Sequence, residues 1–399
     1  MPKILRIINR FNLGGPTYNV AYLSKYLAPD YETLLVGGVN SDSEACSDHI
    51  INKLGLHTLK IPDMQREING YSDMVAYQKI KEIIKRYKPD IVHTHASKAG
   101  FIGRYAAKQC NVPVILHTFH GHIFHSYFSD YKTAIFKMIE RNMASHSSAI
   151  IAISNLQKEE LCNIHKIAPA EKFRVIPLGF DLDRFQENYK TKREVFRNLY
   201  KISDDEVTIS IIGRLVPIKN HTLFIKSFAK SKEQTTRKIR GFIVGDGELR
   251  KSLTELAESL KLTCSTPERP RDGADIIFTS WINDADIVLA GSDITALTSF
   301  NEGTPVSLIE AQAANTPIIS TNVGGIEDIV ISGKTALLAE NDNVDDFSGK
   351  LVSLVEDETL RKDMAHYGWE FVKNRFHYSR LVRDMKELYD ELLLTKNRT

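Results

Sequence analysis

Short apolar runs alternate with helix-period stretches along the chain, and the alternation occurs twice. The first set has runs at 3–8, 33–36, 58–61, 91–95 and 114–118, with amphipathic patterns near 18–27, 76–88 and 99–110. Runs this continuous belong to strands buried on both faces, which is the arrangement of a parallel sheet covered by helices. A second set follows near 207–212, 240–244, 275–278, 293–297 and 316–320. The repetition predicts two Rossmann-like, doubly wound α/β domains, and 399 residues suffice for two cores. Between the sets, Val175-Ile176-Pro177-Leu178-Gly179-Phe180 and the polar run to about Lys192 read as a linker. The expected domains are 1–180 with about 379–399, and 181–378, the long last helix crossing back to the first domain.

Ligands of open α/β sheets bind past the strand C-termini, so the residues there are the candidates for chemistry. In the second half, Ser299-Phe300-Asn301-Glu302-Gly303-Thr304-Pro305-Val306-Ser307-Leu308-Ile309-Glu310 follows an apolar run and opens a helical pattern. Thr304 reads as N-cap and Pro305 as first helical residue, leaving the amides of Val306 and Ser307 for an anion. Glu302 and Glu310 flank that helix start, placed to accept from sugar and ribose hydroxyls. Gly213-Arg214 with Lys219-Asn220-His221 ends another strand in two cations suited to a pyrophosphate, a planar fork and a point charge. Gly245-Asp246-Gly247 is a further glycine turn. In the first half, Gly14-Gly15 lies at a strand-to-helix turn where backbone can approach a ligand, but the dinucleotide fingerprint is missing.

Histidines gather in the first half at 93, 95, 117, 120, 122 and 125. His93 and His95, at alternate positions, share one strand face, so a metal site has to be weighed. Local acidic or cysteine co-ligands and any familiar zinc spacing are missing, and no metal is expected. Asp181-Leu182-Asp183 and Asp284-Ala285-Asp286 read as linker and surface. Cys46, Cys110, Cys162 and Cys264 have no paired spacing, which suits a reducing cytoplasm. Arg6 and Arg10 interrupt the first apolar run, as in a strand and unlike a signal peptide, and no run reaches membrane-spanning length.

The net charge of +2 is unevenly divided: residues 1–180 hold 22 Lys+Arg against 15 Asp+Glu. That excess suits an anionic partner such as an acidic lipid surface or a lipid pyrophosphate. Nucleic acid is not expected, since no arginine-rich or aromatic-interleaved tract appears. Phe124, Tyr127, Phe128, Tyr131, Lys132, Phe136, Lys137 and Arg141 interleave aromatic and basic groups. They fit either a peripheral membrane contact or core packing of a helix at 132–144.

Taken in order, these motifs resemble the GT4 family of retaining glycosyltransferases (glycosyl transferase group 1). They comprise the Gly14-Gly15 loop, Asp90-Ile91-Val92-His93-Thr94-His95, His117-Thr118-Phe119-His120-Gly121-His122, Ile153-Ser154, the run ending Gly179-Phe180-Asp181, Gly213-Arg214 with Lys219, Gly245-Asp246-Gly247, and the glutamate pair Glu302 and Glu310 with seven residues between them. The resemblance implies a GT-B fold, two Rossmann-like domains facing across a cleft, and metal-independent transfer of a sugar from a nucleotide-diphosphate donor with retained configuration. It implies that Glu302, His120, Arg214 and Lys219 carry the chemistry. Donor contacts would come from Gly14, Gly15, Arg214, Lys219, Gly245, Gly247, Trp281, Ile282, Glu302, Gly303, Thr304, Val306, Ser307 and Glu310. His93, His95, His120, His122 and Tyr127 would face the acceptor, a glycan or polyprenyl-pyrophosphate-linked sugar. A UDP-sugar is the favoured donor, UDP-N-acetylhexosamine first, with GDP-mannose as the alternative. A sugar-nucleotide epimerase and a non-catalytic binding subunit are the competing readings. Three departures from the family stand out: the connection Cys264 to Gly273 is lengthened, Ser280 stands where glycine is common, and Ile218 where many members have glutamate.

Overall fold

The computed structural model describes residues 1–11, 15–39, 48–65, 67–121 and 130–396, and they form two compact units, Met1–Phe180 with Phe376–Thr399, and Asp181–Arg375. The first unit is built on strands β1 (Lys3–Arg10), β2 (Glu32–Gly38), β3 (Thr58–Lys60), β4 (Ile91–His95), β5 (Val114–Phe119), β6 (Ala149–Ala152) and β7 (Phe173–Val175). They pair in parallel in the order β3-β2-β1-β4-β5-β6-β7. Alternation along β1 divides the core. Leu5 and Ile7 pack with Ile80 and Ile84 of helix Gly70–Tyr87 and Ile102 of helix Ser97–Gln109. Ile4 packs on the other face with Leu23 of helix Gly15–Tyr26 and with Leu381, Met385, Leu388 and Tyr389 of helix Tyr378–Lys396.

That last helix returns to the first unit through a short stitch. The Phe180 amide donates to the Phe376 carbonyl at 2.7 Å and the Tyr378 amide to the Phe180 carbonyl at 2.9 Å. Arg380 donates to the carbonyls of Pro177 and Leu178, both at 2.7 Å. Gly179 is required here, because a Cβ on it would lie 2.6 Å from Leu381 Cβ.

The second unit repeats the plan with β8 (Val207–Ile212), β9 (Ile239–Val244), β10 (Cys264–Ser265), β11 (Ile276–Ser280), β12 (Ile294–Leu297), β13 (Ile318–Thr321) and β14 (Ala336–Ala339). The order is β10-β11-β9-β8-β12-β13-β14, parallel throughout. Phe224 and Phe228 of helix His221–Gln234 cover one face with Phe347 and Leu351, and Phe196 of helix Tyr189–Leu199 covers the other with Phe242 and Val288.

Two expectations are corrected, and one departure from the family takes a definite form. The run to Lys192 is not a linker: it holds the turn Asp183–Phe185 and the start of helix Tyr189–Leu199, with Leu182 and Phe185 buried as its anchors. The lengthened Cys264 to Gly273 connection supplies the edge strand β10 and a bridged turn from Thr266 to Arg269. The helix after Glu302 begins at Val306, with Pro305 rather than Thr304 as N-cap. Proline has no amide to lose at either position, and at φ −71°, ψ 104° it is still extended while its carbonyl accepts the Leu308 amide.

Leu381 is fully enclosed, so Leu381→Ala is expected to cost the first unit about 2–5 kcal/mol. The urea midpoint of that unit reads it; an unchanged midpoint would show that the C-terminal helix lies outside its core.

Candidate functional site

Strand order reverses between β8 and β12 in the second unit, and the loops past the C-termini of β8, β9, β11 and β12 are stitched together there. The Gly213 amide donates to the Val244 carbonyl, Leu215 to Asp246, Gly245 to Ser280, and Phe300 to Ile218. A Cβ on Gly245 would lie 2.0 Å from the Gly213 carbonyl oxygen and one on Gly247 2.5 Å from that of Leu215, so both glycines are needed for the loops to touch. Lys219 ends the turn Pro217–Lys219, and its carbonyl is held by the Thr298 hydroxyl at 3.1 Å.

From that position Lys219 Nζ reaches Glu302 Oε1 at 2.5 Å, and the Ser299 hydroxyl donates to the same oxygen at 2.5 Å. Lys219 and Glu302, expected as separate ligand contacts, are thus paired with each other, because two half-buried opposite charges have each other as the nearest compensation. Arg214 is exposed and has no ion-pair partner among the described residues. Thr304, Val306 and Ser307 are half-buried and Gly303 exposed. The Val306 and Ser307 amides, in the first helical turn, have no acceptor within the helix.

Glu310 is largely buried and 3.2 Å from Arg184. Burial raises its carboxyl above the ordinary 4.5, and the Arg184 guanidinium only partly opposes that shift. Trp281 is exposed beside Ser280, while Ile282 packs partly on the Phe196 cluster. Ser280 itself has φ +60°, the left-handed region where glycine is at ease, and its hydroxyl is tied to Asp246 at 3.1 Å. Ile218 is exposed on the Pro217–Lys219 turn.

Sequence reasoning missed Ser299, Arg184 and Gly324-Gly325. The last two had a signal, a double glycine after the β13 run: Gly324 has φ +54°, and a Cβ on it would lie 2.1 Å from the Glu302 carbonyl oxygen, which accepts the Gly325 amide.

The first unit carries a second polar cluster. His93 and His95 do share a face of β4, their rings 4.2 Å apart. Register puts Arg6 of β1 beside His93 and Thr118 of β5 beside His95. His93 bonds Arg6 Nη1 at 3.0 Å, the Tyr389 hydroxyl at 2.6 Å and the Thr118 hydroxyl at 2.8 Å. His95 Nδ1 meets His120 Nε2 at 3.0 Å. Burial, with Arg6 adding to it, holds His93 and His95 well below the ordinary imidazole value, and burial brings His120 down to about 3. These rings are neutral at physiological pH.

His117 points to Thr94 instead, at 2.9 Å. Among the described residues no group of three His, Cys, Asp or Glu is arranged to hold a metal ion. Gly15 opens the helix after β1; Gly14, His122 and Tyr127 lie outside the described residues, as do Phe124, His125 and Phe128. In helix Asp130–His146 Met143 and Ala144 are buried while Tyr131, Ile135 and Met138 are exposed. No helix among the described residues is long and apolar enough to cross a membrane. A cavity of about 380 Å³ opens at the opposite, N-terminal edge of the second sheet, among Tyr189, Arg193, Arg237, Asp293 and Arg361. Arg193 is spent there on Asp293, at 2.7 Å.

Two family models cover most of the chain. Residues 13–184 match "Glycosyltransferase Family 4" and residues 192–371 match "Glycosyl transferases group 1". An Escherichia coli UDP-Gal:alpha-D-GlcNAc-diphosphoundecaprenol alpha-1,3-galactosyltransferase is 29% identical over 84% of this chain and 84% of its own. A Staphylococcus aureus capsular polysaccharide biosynthesis glycosyltransferase, CapM, is 25% identical over 83% and 84%. Among solved structures, a glycosyltransferase from Rickettsia africae superposes with a TM-score of 0.80 at 22% identity, covering 98% of each chain. Anabaena HepE in complex with UDP and glucose superposes at 0.79 and 17%, covering 98% of this chain and all of that one.

The linkage at Glu310 has a definite sign. A carboxyl raised on folding adds stability that is fully present below its unfolded value and lost as pH rises through the folded one. Glu310→Gln has no such loss and is expected to gain on the wild type between pH 4 and pH 7. Urea midpoints of both proteins at the two pH values check it; a wild type that gains on the variant as pH rises would contradict it.

Proposed function

Since this chain belongs to the group 1, family 4 glycosyltransferases and has their GT-B fold, we propose that it moves a sugar from a nucleotide-diphosphate donor to a lipid-linked or glycan acceptor in the synthesis of a surface polysaccharide or glycoconjugate. The observation that carries the reading is the Lys219–Glu302 pair at the strand ends, with Arg214 on the same loop as Lys219, exposed and without an ion-pair partner among the described residues. Breaking a sugar–diphosphate bond builds negative charge on the leaving oxygens, and fixed cations there lower the barrier most. Arg214 and Lys219 take that role, with the Val306 and Ser307 amides as neutral donors to the same phosphates. As Lys219 turns to the diphosphate, Glu302 is released to accept from hydroxyls of the donor sugar. Glu310, aligned by Arg184, accepts from the ribose hydroxyls, and Gly245, Gly247, Trp281 and Ile282 form the wall around the nucleoside.

Configuration is retained by attack on the face the leaving group departs from, the departing phosphate oxygen taking the acceptor's proton, so no protein nucleophile and no metal ion is needed. A UDP-sugar is the favoured donor: the Escherichia coli relative is named for UDP-galactose and a diphosphoundecaprenol acceptor, and HepE is described with UDP. The basic first half and the exposed Tyr131, Ile135 and Met138 support peripheral contact with an anionic membrane where such an acceptor resides.

Turnover of UDP- and GDP-sugars with a polyprenyl-pyrophosphate sugar, in the presence of a chelator, tests this. Product with retained configuration is expected; no turnover on any donor would refute the transfer reading, and an isomerised donor formed without acceptor would favour an epimerase. Lys219→Ala is expected to lower kcat by about a hundredfold or more while donor affinity falls much less, because leaving-group charge grows in the transition state. Equal losses in both would contradict that role.

A further inference from the structure

The hydrogen bonds around Arg6 determine which nitrogen of His120 carries its proton. A guanidinium only donates. Arg6 Nη1 lies 3.0 Å from His93 Nδ1 and 3.5 Å from His95 Nε2, so both nitrogens turn lone pairs toward it. Tyr389 fits the same assignment, its oxygen receiving from Arg6 at 3.2 Å and its hydroxyl, 2.6 Å away, sharing with Arg6 the one lone pair of His93 Nδ1. His93 then holds its proton on Nε2 and donates to the Thr118 hydroxyl at 2.8 Å. His95 holds its proton on Nδ1 and donates to His120 Nε2 at 3.0 Å. With Nε2 accepting, the single proton of His120 sits on Nδ1. That atom is shielded from solvent and has no partner among the described residues.

Arg6 is an expensive way to hold a core together. It is fully buried, no carboxylate pairs with it among the described residues, and its Nε and Nη2 have no partner there. An uncompensated buried charge weakens a fold, and an apolar side chain of similar volume would serve packing better. The other described groups facing the row, Thr118, Tyr389 and the three imidazoles, are neutral, so the guanidinium is the one formal charge among them.

We propose that Arg6 is a positioning residue that, through His95, fixes His120 as the Nδ1–H tautomer, so that His120 meets a substrate oxygen as a hydrogen-bond donor and does not act as a base. The proposal rests on the reading of His120 as substrate-facing. It makes β1, with Arg6 at its centre, part of the machinery of the first unit.

Nitrogen-15 NMR of full-length protein labelled at histidine tests the tautomer without any substrate. His120 is expected to show a protonated Nδ1 and a bare Nε2; the reverse assignment overturns the proposal. Arg6→Met is expected to release the tautomer and lower kcat about tenfold to a hundredfold, the range of one lost hydrogen bond to the reacting groups, with donor KM little changed and the thermal midpoint unchanged or raised. Arg6→Lys, which keeps a buried donor and charge, is expected to restore the tautomer and most of the turnover. Unchanged tautomer and turnover in Arg6→Met would overturn the proposal, as would a loss of turnover that only follows a loss of folded protein. A changed tautomer with wild-type turnover would contradict the substrate-facing reading of His120 on which the functional half depends. If Arg6→Met does not fold, the wild-type tautomer and Arg6→Lys still decide.

Discussion

A parallel sheet covered by helices on both faces can keep charge cheaply only past its strand ends. That constraint explains where the polar groups of the second unit's strand-end loops collect. In the second unit the strands of the reversal point, β8 and β12, carry Val207, Ile209, Ile211, Ile294 and Ala296 into one apolar core, and past their ends Arg214, Lys219, Ser299 and Glu302 appear in close order. The glycines at 245, 247 and 324 have no chemistry of their own; they let three loops approach closely enough for Lys219 to find Glu302.

The first unit departs from the rule at the buried Arg104–Glu140 pair of two covering helices, and further at a cation that no carboxylate pairs among the described residues. Arg6 lies in mid-strand among apolar neighbours, and the surrounding structure adapts by ranking His93, His95, Thr118 and Tyr389 against it. The two polar clusters therefore differ in kind. The second unit offers charge at its surface, suited to neutralising phosphates. The first offers a row of neutral, oriented dipoles, suited to a substrate whose charge the site should not trap.

Much of this was legible in the residues. Apolar runs located most strands of both sheets, because a strand buried on both faces leaves an unbroken apolar signature. Very short edge strands such as β10, at Cys264–Ser265, left no such trace, and helix Tyr189–Leu199 was obscured because its exposed face is strongly polar. The residue types at 214, 219, 302 and 310 were visible as motif positions. Their pairing was not: Lys219 with Glu302, and Arg184 with Glu310, join residues far apart in the chain, and local pattern says nothing about which opposite charges meet. Tyr389 is 383 residues from Arg6, and only the return of the last helix brings them together. Arg6 did leave a trace, a cation inside an apolar run, but its purpose emerges only from its neighbours.

The central claim is that the strand-end loops of the second unit receive the diphosphate of a nucleotide sugar. Hydrogen–deuterium exchange of the full-length protein with and without UDP, or GDP if UDP does not bind, tests it most directly. Protection is expected in 213–219 and 301–310, where the cations and the helix amides lie. Binding that protects instead the opposite sheet edge, around Arg193, Arg237 and Arg361, or that leaves both loops unchanged, would contradict it.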